Sequence, residues 1–141
     1  LGLNVSVGSF TEIGHNVTVG NNTRIGAQCF IPEGVIIAND VFIGPGVKFT
    51  NDKYPPSGRE SWGYTVVKDG AALGCGVIVL PGVCIGSKAL IGAGSVVTKS
   101  VPAGEVWAGN PAKYLKHIDD VNTLRKEQVD GAVIAKAEAT L

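Results

Sequence analysis

The sequence has no methionine, only three cysteines and two histidines among its 141 residues, and no excess charge of either sign. Each scarcity excludes something. Twelve Lys and Arg balance twelve Asp and Glu, so bulk basicity draws the chain neither to nucleic acid nor to an anionic membrane. Cys29, Cys75 and Cys84 are an odd number at wide spacing and make no disulfide framework. No apolar run approaches the ~20 residues of a membrane span, and no secretory pattern opens the chain. A cytoplasmic, single-domain protein is expected. Charged residues are only 17% against 45% hydrophobic, which excludes disorder.

What is abundant is glycine, 20 residues, roughly twice the usual ~7% share. Val and Ile number 30 against 8 Leu, a strand-forming bias. These residues recur. Reading every sixth position from Val7 to Phe49, and again from Val67 to Val97, gives fourteen positions, thirteen of them Val, Ile or Leu. Call this position i. Position i+1 holds Gly at eight places, among them Gly44, Gly74 and Gly92, and i+4 is always small or β-branched until Lys53. Positions i+4 and the next i lie two apart, so both side chains point to one face of a short strand. Position i+3 holds Asn16, Asn22, Gly34, Asp40, Gly46, Gly70, Gly76, Gly82 and Gly94. These residue types tolerate left-handed backbone angles, so the chain turns there. Strand, corner, strand, corner at six residues per side describes a triangular coil of eighteen residues, with large aliphatics at i and small residues at i+4 filling its interior.

Residues 50–66 lose the period, carry Pro55 and Pro56, and would place Lys53 in the core. A loop leaves the coil here. The repeat ends after Val101. From His117 onward, Ile118, Val121 and Leu124 behind Asp119 and Asp120 read as a helix, interrupted at Gly131. The division expected is a coil domain over 1–112, with its loop at about 50–66, and a helical tail over 113–141. Outward apolar residues at i+5, including Phe30, Ile36, Phe42, Ile78, Leu90 and Val96, are too many for a lone solvated prism. Either other subunits cover them, or the loop and tail do.

The hexad pattern resembles the hexapeptide-repeat, left-handed parallel β-helix family over about residues 1–112. The handedness is what the resemblance implies, since general connection rules favour right-handed crossovers. The fold implied is all-β, with a protruding loop and a C-terminal α-helix. The segment IGAGSVVTKSVPAGEVWAGNPAKYLK is similar to the C-terminal coils of family acyltransferases that use acetyl-CoA. The resemblance implies a homotrimer with active sites between subunits and a narrow groove for the extended pantetheine arm. Carried over residue by residue, Cys75 and Gly76 lie beside the thioester and Ala93 and Gly94 keep the groove narrow. Ala93, Thr98 and Lys99 line the arm and phosphates, and Lys113 faces the nucleotide end. Exposed cations suit a polyanionic cofactor; as bland surface charges they would need no ligand.

At the lip of the loop, VFIGPGVKFTNDKYP places Asn51 and Asp52 close to where sugar O-acetyltransferases of the superfamily carry a catalytic His. FTND followed by YP looks more like the N-acetyltransferases of nucleotide-linked amino sugars. A hydroxyl needs a general base before it attacks a thioester, whereas a neutral amine is already a nucleophile. Asn51 is therefore assigned to hold the amine, Asp52 to orient it or take its proton, and a backbone N–H near Gly74–Gly76 to stabilise the oxyanion. The bland alternative for Asn51-Asp52 is an ordinary turn. In the loop, Tyr54, Arg59, Trp62 and Tyr64 either hold a nucleotide or anchor the loop on the prism.

Two further readings stand beside this one. His15, outward at i+2, is the base of an O-acetyltransferase, or the chain is a non-catalytic assembly subunit. The intact GNPAK end and the loop argue against the second. A γ-class carbonic anhydrase needs three His per zinc, and only His15 lies on the coils, so no metal is expected.

Overall fold

The computed structural model describes the backbone of residues 1–140 and the side chains of residues 1–129. Each hexad forms a two-residue strand that pairs in parallel with the strand eighteen residues on, as Ser6–Val7 does with Arg24–Ile25. Consecutive strands therefore fall on three different sheets, and the chain winds a three-sided β-solenoid of about six turns. Face A runs from Ser6–Val7 to the strand at Glu105–Gly109, face B from Glu12–Ile13 to Val96–Val97, and face C from Thr18–Val19 to Cys84–Ile85. Corners AB, BC and CA join them.

The i positions fill the axis. Ile31, Ile37, Ile43, Phe49, Leu73, Ile85 and Ile91 are fully buried, each contributing about 1.5–3 kcal/mol. Small i+4 residues leave them room, and hydroxyls there tie coils together. Thr23 Oγ1 donates to the Ala38 carbonyl at 2.8 Å and accepts from the Val41 N–H at 3.2 Å.

Every expected i+3 turn residue has a positive φ, from Asn16 at 55° to Gly34 at 81°. Three more corners do so with residues that composition did not flag: Phe10, Gln28 and Lys88, at 58–60°. For such side chains the left-handed region costs about 1–2 kcal/mol each, which the coil's geometry imposes regardless.

The loop is an insertion of definite size. Ile37 pairs with Val67, thirty residues on instead of eighteen, so the segment between Phe49 and Val66 adds twelve residues, two hexads' worth. The chain re-enters on face C, where an uninterrupted hexad would have placed it. Lys53 lies in this loop and is exposed, outside the core.

The C-terminal end differs from expectation in two ways. Residues 113–117 are not helical: Ala112–His117 is a strand, antiparallel to Glu105–Gly109, whose buried Ala112 joins the core cluster. Helix α1 follows at Ile118–Thr140 and runs through Gly131 without interruption. At its start the buried Ile118 donates its N–H to the Gly104 carbonyl at 2.7 Å. Leu141 lies outside the described residues.

Neither loop nor helix covers the outward apolar residues fully. Ile36, Phe42 and Ile78 remain 45%, 48% and 37% exposed. Among the described residues, no helix is long and apolar enough to cross a membrane.

Candidate functional site

The three corners carry the same backbone path but present different surfaces. At each, the i+3 N–H donates to the i+2 carbonyl of the preceding coil, as Gly94 does to Cys75 at 2.8 Å and Gly76 to Pro45 at 2.9 Å. The i+2 N–H points outward.

Corner CA caps that outward N–H on its first three coils. Leu3 donates to Asn21 Oδ1 at 2.8 Å, Asn21 to Asn39 Oδ1 at 2.7 Å, and Asn39 to Asp69 Oδ1 at 2.9 Å. Corner AB leaves it bare: among the described residues, the N–H groups of Cys75 and Ala93 have no hydrogen-bond partner, and both residues are exposed. The Gly74 N–H is taken by Ile91 at 2.9 Å. Of the donors expected near Gly74–Gly76, only that of Cys75 is therefore free for an oxyanion.

Glycine serves two purposes here. At Gly74 an added Cβ would stand 2.7 Å from the Ala93 nitrogen, so the next coil excludes any side chain. At Gly76 and Gly94, both at φ +70°, a Cβ would meet nothing within 4 Å. The backbone angle demands a permissive residue there, and choosing Gly over Asn keeps the outer edge clear.

Corner BC stacks His15, Glu33, Asn51, Pro81 and Lys99 on successive coils; the unknown size of the insertion hides in the sequence that Pro81 and Lys99 continue the column. With ~4.8 Å between coils, His15 and Lys99 each stand two coils from Asn51. Beside Lys99, a groove of about 320 Å³ brings Thr98, Lys99 and Lys113 together with Trp107, Pro111 and Tyr114. Trp107 Nε1 donates to Glu105 Oε2 at 2.8 Å, which fixes the indole on the groove wall. Trp107 and Tyr114 were not singled out by sequence. Their signal is the pair of aromatics flanking GNPA, which only the hairpin of Glu105–Gly109 and Ala112–His117 brings face to face.

Asn51 and Asp52 open the loop. The Asn51 carbonyl accepts from the Gly63 N–H at 3.1 Å, closing the loop's neck, and its side-chain amide has no partner among the described residues. The Asp52 carboxylate faces inward on the loop instead. It accepts from the Ser57 hydroxyl, from the Ser57 N–H at 2.8 Å and from the Tyr54 N–H at 3.2 Å. The Ser57 hydroxyl first, then the two N–H groups, hold its pKa below the ordinary 3.8. Both oxygens are engaged and basicity is reduced.

Two of the four loop residues pack on the prism. Arg59 Nη2 meets Glu33 Oε2 at 2.5 Å, and the Tyr64 ring lies on Gly34, where an added Cβ would stand 2.3 Å from Cδ1. Trp62 is half-buried, and Tyr54 is exposed with Lys53 Nζ 5.5 Å from its ring centre. Asn51 on corner BC and Cys75 and Ala93 on corner AB do not converge within one chain. A full face separates them, at most ~20 Å of extended chain. Among the described residues, no group of three His, Cys, Asp or Glu gathers.

The profile of the family described as bacterial transferase hexapeptide (six repeats) matches residues 2–33 and 20–51, and the solenoid continues the same repeat to Val97. The chain is built on the hexad repeat that this family's description names. This hexapeptide-repeat chain is 41% identical over 64 residues to the 2,3,4,5-tetrahydropyridine-2,6-dicarboxylate N-acetyltransferase of Staphylococcus aureus (strain JH9), a match covering 45% of the chain and 27% of that relative. The chain thus matches about a quarter of the length of that curated relative. Among solved structures, a maltose O-acetyltransferase from Clostridium difficile 630 superposes with a TM-score of 0.75 at 29% identity, over 84% of this chain and 68% of that one. A galactoside acetyltransferase in complex with coenzyme A gives 0.68 at 25% identity, over 86% and 68%.

Proposed function

We propose that the hexapeptide-repeat chain is an acetyl-CoA-dependent acyltransferase that N-acetylates an amino group of a nucleotide-linked amino sugar. The observation that carries the reading is the groove beneath corner BC. It gathers two lysines, Thr98 and two aromatic rings into one concave surface, the chemistry a phosphorylated nucleotide needs. From there the pantetheine arm runs to corner AB, where the bare Ala93 N–H suits one of its amide carbonyls and the Cys75 N–H is left for the thioester. The galactoside acetyltransferase similarity, solved with coenzyme A, supports acetyl-CoA as the co-substrate.

The acceptor amine is held by the free Asn51 side-chain carbonyl. Its lone pair attacks the thioester carbon, and the Cys75 N–H stabilises the resulting oxyanion. The C–S bond then breaks, the thiolate of CoA leaves, and the ammonium proton passes to that thiolate or to water. Asp52, with both oxygens engaged, orients Asn51 through the loop more readily than it accepts the proton. Because Asn51 and Cys75 stand on different corners, the complete site takes one corner from each of two subunits. A homotrimer packed through the exposed Ile36, Phe42 and Ile78 faces supplies this.

A second reading has a specific observation behind it. The maltose O-acetyltransferase similarity favours a hydroxyl acceptor, and His15 shares corner BC with Asn51 as the candidate base. Assaying His15→Ala, Asn51→Ala and Asp52→Ala against amine and hydroxyl acceptors separates the two. Amine transfer is expected to fall on the order of a hundredfold in Asn51→Ala and to survive in His15→Ala. Transfer confined to hydroxyls and abolished by His15→Ala overturns the N-acetyl assignment. Absence of any thermal stabilisation by acetyl-CoA overturns both.

A further inference from the structure

We propose that Glu33 is a positioning residue for the acceptor: one coil from Asn51 on corner BC, it latches the loop's far limb to the prism. The inference rests on the acyltransferase reading for its consequence and on geometry for the latch itself.

The loop leaves the coil at Asn51 and re-enters at Thr65. At its neck, the Gly63 N–H donates to the Asn51 carbonyl at 3.1 Å. Its near limb is organised by Asp52 on Tyr54 and Ser57. These contacts are internal to the loop. Beyond the neck, two contacts tie it to the prism, and both reach the same corner of the preceding coil. Arg59 forms its ion pair with Glu33, whose side chain is only 22% exposed against 70% for Arg59. Next to it, the Tyr64 ring covers Gly34, a position at φ +81° where any side chain would strike the ring. Glu33 and Gly34 thus form a docking seat for the loop. The guanidinium is the mobile partner and the carboxylate the fixed one.

The arrangement reassigns Arg59. A guanidinium engaged by Glu33 fixes the loop, and the acceptor's anionic groups then meet Tyr54 and Lys53 at the free edge. A docked loop holds Asn51 at one height above corner BC, so undocking weakens acceptor capture while leaving the acetyl-CoA groove untouched.

The test uses the full chain with the variants Glu33→Gln, Glu33→Asp, Tyr64→Ala and the charge swap Glu33→Arg with Arg59→Glu. Tryptic cleavage after Arg59 reads docking directly and needs no activity. Glu33→Gln is expected to speed cleavage about two- to fivefold, the range for a surface ion pair, and Tyr64→Ala to speed it further. In steady-state assays Glu33→Gln raises the acceptor KM severalfold at unchanged acetyl-CoA KM, while Glu33→Asp recovers most of the loss. The charge swap, which removes the Arg59 cleavage site, is read by acceptor KM alone and returns it toward wild type. Unchanged cleavage in Glu33→Gln overturns the latch. Faster cleavage with an unchanged acceptor KM overturns the positioning role. Should the wild type transfer acetyl to no acceptor at all, the function assigned above fails, and the cleavage comparison still decides the latch.

Discussion

Corners AB and CA are built from the same hexad, with the same strand pairing and the same left-handed turn, yet over the first three coils one is closed and the other open. At CA, Asn21, Asn39 and Asp69 each spend a side-chain oxygen on the N–H of the coil before. At AB, Cys75 and Ala93 offer nothing in return, and their N–H groups face solvent. Among the described residues, the N–H groups of Asp69 and Ser87, on the later coils of CA, are bare as well, so what marks AB is that its i+2 residues cap the donor on none of its coils. The fold tolerates either corner; the choice of i+2 residue decides whether the outward donor is covered or left to solvent.

The core beneath both corners should be indifferent to that choice. Leu73→Ala under AB and Ile37→Ala under CA are each expected to cost about 2–5 kcal/mol in urea denaturation. A large inequality between them would mean that the corners, not the axis, carry stability. Next in size, Ala93→Trp should fill the open corner. It removes the stabilisation by acetyl-CoA, about 2.7 kcal/mol at a hundredfold excess over Kd, while the ligand-free Tm stays near wild type. Retention of the full shift breaks the comparison. Lys99→Ala and Lys113→Ala should each weaken acetyl-CoA binding about tenfold in calorimetry, less at high salt. Asn39→Ala at the closed corner should lower stability by about 1 kcal/mol and leave acetyl-CoA affinity alone. The smallest effect concerns Asp52. Its carboxyl is held below the ordinary 3.8, so its contribution is complete above that value and drains away as pH falls through the folded-state pKa. Trp62 fluorescence should report loop loosening only on that acid side, and Asp52→Asn should abolish the transition.

Most of the solenoid was legible because its period is a steric requirement: the axis admits only aliphatics at i, and the turn admits Gly, Asn or Asp at i+3 most easily. Phe10, Gln28 and Lys88 escaped because coil geometry can force a residue into the left-handed region against its preference. The hairpin of Glu105–Gly109 and Ala112–His117 escaped for a related reason. Its strands pair across the end of the column, where no repeat announces them, and with it went Trp107 and Tyr114. For the site, residue types were readable but neighbours were not. Nothing in the chain between Thr50 and Thr65 reveals that it spans two hexads. Neither the alignment of Asn51 with Lys99 nor the pairing of Arg59 with Glu33 could therefore be read in advance. Asp52 shows the same limit at one residue, where the local turn chemistry that its type permits claims both of its oxygens.

The insert's length has a consequence for how such a protein can change. Twelve residues are a whole number of hexads, so excising them joins Phe49 to the face C strand in phase, without rotating the prism or re-facing a single core side chain. The protrusion behaves as a plug-in cartridge. Exchanged for another of equal or zero length, it leaves the open corner AB intact, so under the proposed acyltransferase function new acceptors become reachable by grafting at one address instead of rebuilding the column of coils that bears it.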